Sequence, residues 1–160
     1  MAEDIFLKLD DVEGESKDAS HKKEIQLQST GFSVRQQGAQ GAGGGGGAGK
    51  ASFDDISCMA ETSKASPLLW LSCATGKHHA KAVIIYRKAG EKPLEYLKIE
   101  LEDVLISGFN SSEGAGGSIP VDSFSLNFGK IKLEYTPQDA KGGGEGVVKA
   151  GYDVKGNLKI

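Results

Sequence analysis

Two long segments of this chain alternate apolar and polar residues, then change step halfway along. In LEYLKIELEDVLISGF (94–109), Leu97, Ile99 and Leu101 fall on one face and Lys98, Glu100 and Glu102 on the other. The apolar set then resumes out of step at Val104 and Ile106. In SFSLNFGKIKLEYT (123–136), Phe124, Leu126 and Phe128 share one face. Ile131, Leu133 and Tyr135 share the next, with Gly129 and Lys130 at the shift. Strand side chains repeat every second residue, so a one-residue slip turns the buried face over. A glycine at that point marks a bulge or a sharp bend. A long strand that changes face midway can pass from one packed sheet to another. Two such strands in one short domain predict a closed or nearly closed β-structure.

Further strand signals agree. EDIFLKLD (3–10) sets Ile5, Leu7 and Leu9 against Phe6 and Lys8. EIQLQSTGFSV (24–34) alternates at Ile25 and Leu27 and resumes at Phe32 and Val34 after Gly31. AKAVIIYRK (80–88) has an unbroken apolar run from Val83 to Tyr86, the mark of a strand covered on both faces. One helix is signalled in KASPLLWLSCATGKHH (64–79), spanning about 67–75. Ser66 suits the N-cap, Pro67 the first helical position and Gly76 the left-handed C-terminal position. The helix is apolar almost all round, with Leu68, Leu69, Trp70, Leu71, Cys73 and Ala74. One face can pack on a sheet; the remainder needs another cover, which a second subunit would supply.

At 160 residues the chain is expected to form one domain over 1–160 that folds without disulfide or metal. Its 23 glycines gather at 38–49, 114–117 and 142–146. These mark a long loop at 38–49, a second loop, and the start of a C-terminal tail at 142–160. Net charge is −3 with dispersed lysines, which argues against nucleic acid. No stretch approaches the length of a membrane span, so membrane insertion is not expected. MAEDIFLKLDD has acids where a signal peptide needs basic residues. The chain is therefore expected to be made in the cytoplasm and, if exported, to leave without a cleaved signal. Cys58 and Cys73 lack framework spacing and read as reduced core thiols.

Residues 44–51, GGGGAGKA, match the phosphate-binding template at Gly44, Gly49 and Lys50. That loop needs a hydroxyl directly after the lysine, a buried strand before it and a helix after it. Ala51 has no hydroxyl, and KASFDDISCMAE (50–61) reads as extended. The glycine run is a loop, not a nucleotide cradle. His78 and His79 would point to opposite faces of an extended segment, so they read as a polar turn rather than a metal pair. His21, in DASHKKE, reads as solvated. Glu100 and Glu102, with Lys98 beside them, read as the wet face of a strand. The acids around Gly14 fail the calcium-loop frame. No catalytic residue, metal ligand or cofactor site is expected.

Several stretches together resemble the hemolysin-coregulated protein (Hcp) family, the inner-tube protein of bacterial type VI secretion systems. They include IFLKLDDVEGESKD (5–18), GGGGGAGKASFDDISC (43–58), TGKH (75–78), PLEYLKI (93–99), SLNFGKI (125–131), EYTPQ (134–138) and AGYDVKGN (150–157). The resemblance covers almost the whole chain in one order. It implies a mainly β fold, a β-barrel of two packed, antiparallel-rich sheets with one flanking helix. It implies a homo-hexameric ring, stacking of rings into a secreted tube, and contact with sheath, spike and effector proteins carried in the lumen. It implies no enzymatic activity. The alternative is a monomeric binding or chaperone-like module. The glycine loop would pack on a neighbouring subunit or ring, which makes Gly43, Gly46, Gly49 and Lys50 candidate contacts, with Lys50 beginning the next strand. Tyr152 stands where the family often has tryptophan. Trp70 is less usual in the family and marks a contact of this chain's own subgroup.

Overall fold

The computed structural model describes residues 3–38, 49–113, 116–139, 144 and 146–160. In chain order the elements are β1 (Glu3–Leu9), β2 (Ile25–Leu27), β3 (Ser29–Gly31), β4 (Val34–Arg35), β5 (Ser52–Phe53) and β6 (Ile56–Glu61). Then come α1 (Ser66–Thr75), β7 (His78–Lys88), β8 (Leu94–Ser112), β9 (Val121–Tyr135), β10 (Val148–Asp153) and β11 (Leu158–Lys159). All the strand pairings are antiparallel.

The main sheet runs β11-β10-β9-β8-β7-β1-β2, and β6 branches from β9 to pair with β3. The segment 25–31 changes partner at its middle: β2 pairs with β1, and β3 pairs with β6. Between them the Gln28 N–H donates to the Met59 carbonyl at 2.7 Å. The sheet thus wraps around one core, and a separate two-stranded sheet, β4-β5, stands beside it. The expected barrel takes this form, a wrapped sheet without a single closed ladder among the described residues.

Strands β8 and β9 show what the change of step does. Ile99 and Leu101 are buried before it, and Val104 and Ile106 after it. On β9, Phe124, Leu126 and Phe128 are buried before Gly129 and Ile131 after it. The two shifts coincide, since Glu102 pairs with Lys130 and Val104 with Phe128. Asp103, between them, adopts φ 55°, which few non-glycine residues tolerate. Both strands therefore turn over together and feed both halves of one core. Phe6, Leu7, Ile56, Leu69, Ile84, Ile99 and Leu126 are among its fully buried side chains. Burying one such side chain contributes about 1.5–3 kcal/mol.

The Val83–Tyr86 run lies in β7 between β1 and β8, with Ile84 in the core and Val83 and Ile85 half-buried on the other face. That second face is only partly covered, less than an unbroken apolar run implies.

The helix begins one residue earlier than its sequence signals. Ala65 is the N-cap and Ser66 is already helical. The Ser66 hydroxyl is engaged elsewhere: it donates to the Asp122 carboxylate and accepts the Ser63 N–H at 2.9 Å. The Ser63 hydroxyl instead accepts the Ala65 N–H at 3.2 Å. At the other end Gly76 takes the left-handed conformation, φ 69°, as its sequence position predicts.

Candidate functional site

The histidines do not sit as their local sequence implies. His78 and His79 open β7 and do point to opposite faces, but they do not form a polar turn. His79 is 1% exposed; its ring nitrogens lie 2.8 Å from the Asp10 carbonyl oxygen and 3.1 Å from Ser72 Oγ. It ties the start of β7 to the helix and to the end of β1. Exposed His78 lies 2.8 Å from Asp103 Oδ1. His21 is not solvated: it is 5% exposed and stacked on Phe6. Contacts from elements distant in sequence decide both burials.

Other polar groups serve the fold. Asp122, 2% exposed, accepts the Thr62 hydroxyl at 2.9 Å and the Ser66 hydroxyl, fastening the start of the helix to β9. Glu100 lies between Lys98 at 3.1 Å and Lys81 at 3.5 Å, and the Lys98 contact leads in holding its carboxyl below the usual range. Both cysteines are free. Burial pushes the Cys58 thiol up to about 12, leaving it inert. Among the described residues no group of three or more His, Cys, Asp or Glu side chains is placed to hold a metal ion. No helix among them is long and apolar enough to cross a membrane.

The candidate contact residues separate into two regions. Gly43 and Gly46 lie outside the described residues. Gly49 and Lys50 are exposed and lead into β5, a strand, so no helix follows the lysine to form a phosphate cradle. The strand starts at Ser52, two residues later than the expected start at Lys50. Tyr152, on β10, is half-buried; its ring centroid is 5.2 Å from that of Phe53, and its hydroxyl donates to Asn157 Oδ1 at 2.8 Å. Around it Phe32, Val34, Phe53, Phe128, Ile131 and Tyr152 line an open apolar groove of about 450 Å³. Phe32 and Val34 continue the alternation of 24–34 but remain 41% and 58% exposed, just before and within β4, whose two-stranded sheet is separate from the main one. Sequence alternation finds such residues but cannot tell a face against the core from one left open.

The second region is the helix. Leu69 is buried, while Leu68, Trp70 and Leu71 are 42%, 59% and 50% exposed. Trp70 is thus a surface residue of the single chain. An apolar face of this kind on a folded domain marks an interaction surface. The molecule offers apolar surfaces in two places, without a catalytic constellation among the described residues.

Comparison with known proteins agrees over the whole length. Residues 6–135 match the family model described as type VI secretion system effector, Hcp. The chain is 38% identical to Protein hcp1 of Pseudomonas aeruginosa, with 99% of each chain covered. It shares 35% identity and a TM-score of 0.81 with the crystal structure of Hcp1 from Salmonella typhimurium, each chain fully covered. A solved type six secretion system protein matches at a TM-score of 0.94 and 25% identity, covering 99% of this chain and 100% of its own. On its sequence, its fold and its length, the chain belongs to the Hcp family of type VI secretion system proteins.

Proposed function

We propose that this chain is a structural ring subunit of a type VI secretion tube. Six copies close a ring, rings stack, and the assembled tube meets sheath and spike proteins and carries effector proteins in its lumen. The subunit is held in the cytoplasm until assembly and is then exported without a cleaved signal. Its role is assembly and transport, not catalysis.

The observation that carries this reading is the exposed apolar face of α1, Leu68, Trp70 and Leu71, on a chain whose core is already complete without it. A closed ring is built from a heterologous contact, in which two different surfaces of the same chain meet. The helix face and the groove beside Tyr152 supply two such apolar surfaces. On this reading Gly43, Gly46, Gly49 and Lys50 contact the next subunit or ring.

Electron micrographs of the purified protein test it. Rings of six with an open centre are the expected result. Lone compact particles at every concentration would overturn it in favour of a monomeric binding module.

A further inference from the structure

The exposed side of α1 has the spacing of a helix that docks. Pro67, Trp70, Leu71 and Ala74 stand at i, i+3, i+4 and i+7 and are all exposed, with Leu68 beside them. Residues so spaced share one helical face. The opposite side turns Ser66, Leu69 and Ser72 into the protein. Ser66–Thr75 holds no charged residue. A helix face that stays in water normally carries charge. This face instead carries the apolar pattern that amphipathic helices lay into hydrophobic grooves.

The groove beside Tyr152 is its counterpart in shape and chemistry. Phe53 packs edge-on against Phe128, with centroids 6.2 Å apart, and tilted against Tyr152. Val34 pairs with Phe53 across the two-stranded sheet. The Tyr152 hydroxyl already donates to Asn157, so it asks nothing of an occupant. Arg35 also lines the groove, and its Nη2 lies 3.0 Å from each Asp54 carboxylate oxygen. The carboxylate fixes one edge of a guanidinium that otherwise stands in solvent. A guanidinium favours the face of an aromatic ring, and tryptophan best of all. The chain has little of its own to fill this space. No residue of α1 lines it. Residues 39–48, AQGAGGGGGA, follow β4 in sequence and bring no aromatic or branched side chain.

We propose that α1 of one copy lies in this groove of the next copy, with Trp70 against the Phe53–Tyr152 pair and the Arg35 guanidinium. This contact rests on the ring reading above and assigns its two sides. A helix meeting a groove is a heterologous contact, so each copy gives its helix to one neighbour and its groove to the other. Leu71, midway across the exposed face, meets Phe32 and Val34. Polar residues around both patches form the rim.

Trp70 is the single tryptophan of the sequence, so its fluorescence reads the contact directly. The wild type and Val34→Glu are diluted from rings to single chains, with native mass spectrometry reporting the assembly and acrylamide quenching reporting Trp70. In wild-type rings the emission moves to shorter wavelength and quenching falls several-fold against single chains. Val34→Glu, altered at an exposed position, raises the concentration needed for assembly by about tenfold or more, the effect of losing a central contact. Its single chains keep the wild-type circular dichroism. Should Val34→Glu fail to fold, Arg35→Ser makes the same comparison. Rings in which Trp70 is as readily quenched as in single chains would overturn the docking and leave the ring intact. A shielded Trp70 with assembly indifferent to both groove variants would also overturn it, placing the helix on another surface. Chains that never assemble would overturn the ring and this contact together.

Discussion

Asp103 on β8 faces Gly129 on β9 so closely that a Cβ built on Gly129 would lie 3.3 Å from the Asp103 Cβ. At this pair the apolar faces of both strands turn over. A side chain at Gly129 would crowd Asp103 and Lys155, and Asp103 supplies the left-handed residue of the bend. The Asp103 carboxylate also meets Lys155 and His78, joining the bend to the C-terminal turn and to the start of β7.

Gly129→Val should therefore destabilise the chain by about 1–3 kcal/mol, the usual cost of an overpacked site. Asp103→Val should cost about 1–3 kcal/mol through its strained backbone. Asp103→Asn should cost less than about 1 kcal/mol, because asparagine tolerates the left-handed region and the lost ion pairs are exposed. Urea midpoints measure all three. A neutral Gly129→Val would show that the bend does not depend on close approach.

Removing the Asp122 carboxylate leaves the Thr62 and Ser66 hydroxyls without their acceptor. Asp122→Ala is expected to lose about 2–4 kcal/mol, and Ser66→Ala about 1–2 kcal/mol, since Thr62 still satisfies one carboxylate oxygen. Denaturant titration of the two variants should show that order. Equal losses would mean that the carboxylate acts through Ser66 alone.

Much of this fold is legible in the sequence because the signals are local. Gly76 ends the helix where its chain position says, and the change of step at Gly129 and Lys130 marks the bend. Trp70, on a helix apolar all round, is exposed. The failures are long-range in origin. Nothing near His21 in sequence shows that Phe6 stacks on it or that Glu95 of β8 bonds it. Ser66 looks like a helix cap until Asp122, far along the chain, claims its hydroxyl. His79 looks polar until Asp10 and Ser72 enclose it. The groove beside Tyr152 needs four separated segments to form, and only its outline, the alternation at Phe32 and Val34, can be read in advance.

The Arg87–Asp18 pair contributes to acid stability. Hydrogen bonds from Arg87, and then from the Ser20 N–H, hold the Asp18 carboxyl at about 2, below its ordinary value of 3.8. The folded state thus favours the ionised form. That contribution is complete above the ordinary value and is lost as pH falls through about 2. Arg87→Met should flatten the acid limb of stability against pH in this window. An unchanged limb would place the acid sensitivity elsewhere.

The two thiols should differ in reactivity. Cys58 is buried with its thiol pushed up to about 12, whereas Cys73 is partly accessible. A colorimetric thiol reagent should titrate Cys73 in the native protein and Cys58 only after unfolding. Rapid reaction of Cys58 in the native state would show that the β3–β6 side of the core opens.

The account's central claim is that apolar surface left over by the folded chain is covered by further copies of itself, and native mass spectrometry tests it most directly. Six chains of 16.8 kDa give a species of about 101 kDa, and Trp70→Asp should shift that population to single chains that keep the native fold. A wild type that remains a 16.8 kDa monomer at all micromolar concentrations would contradict the claim.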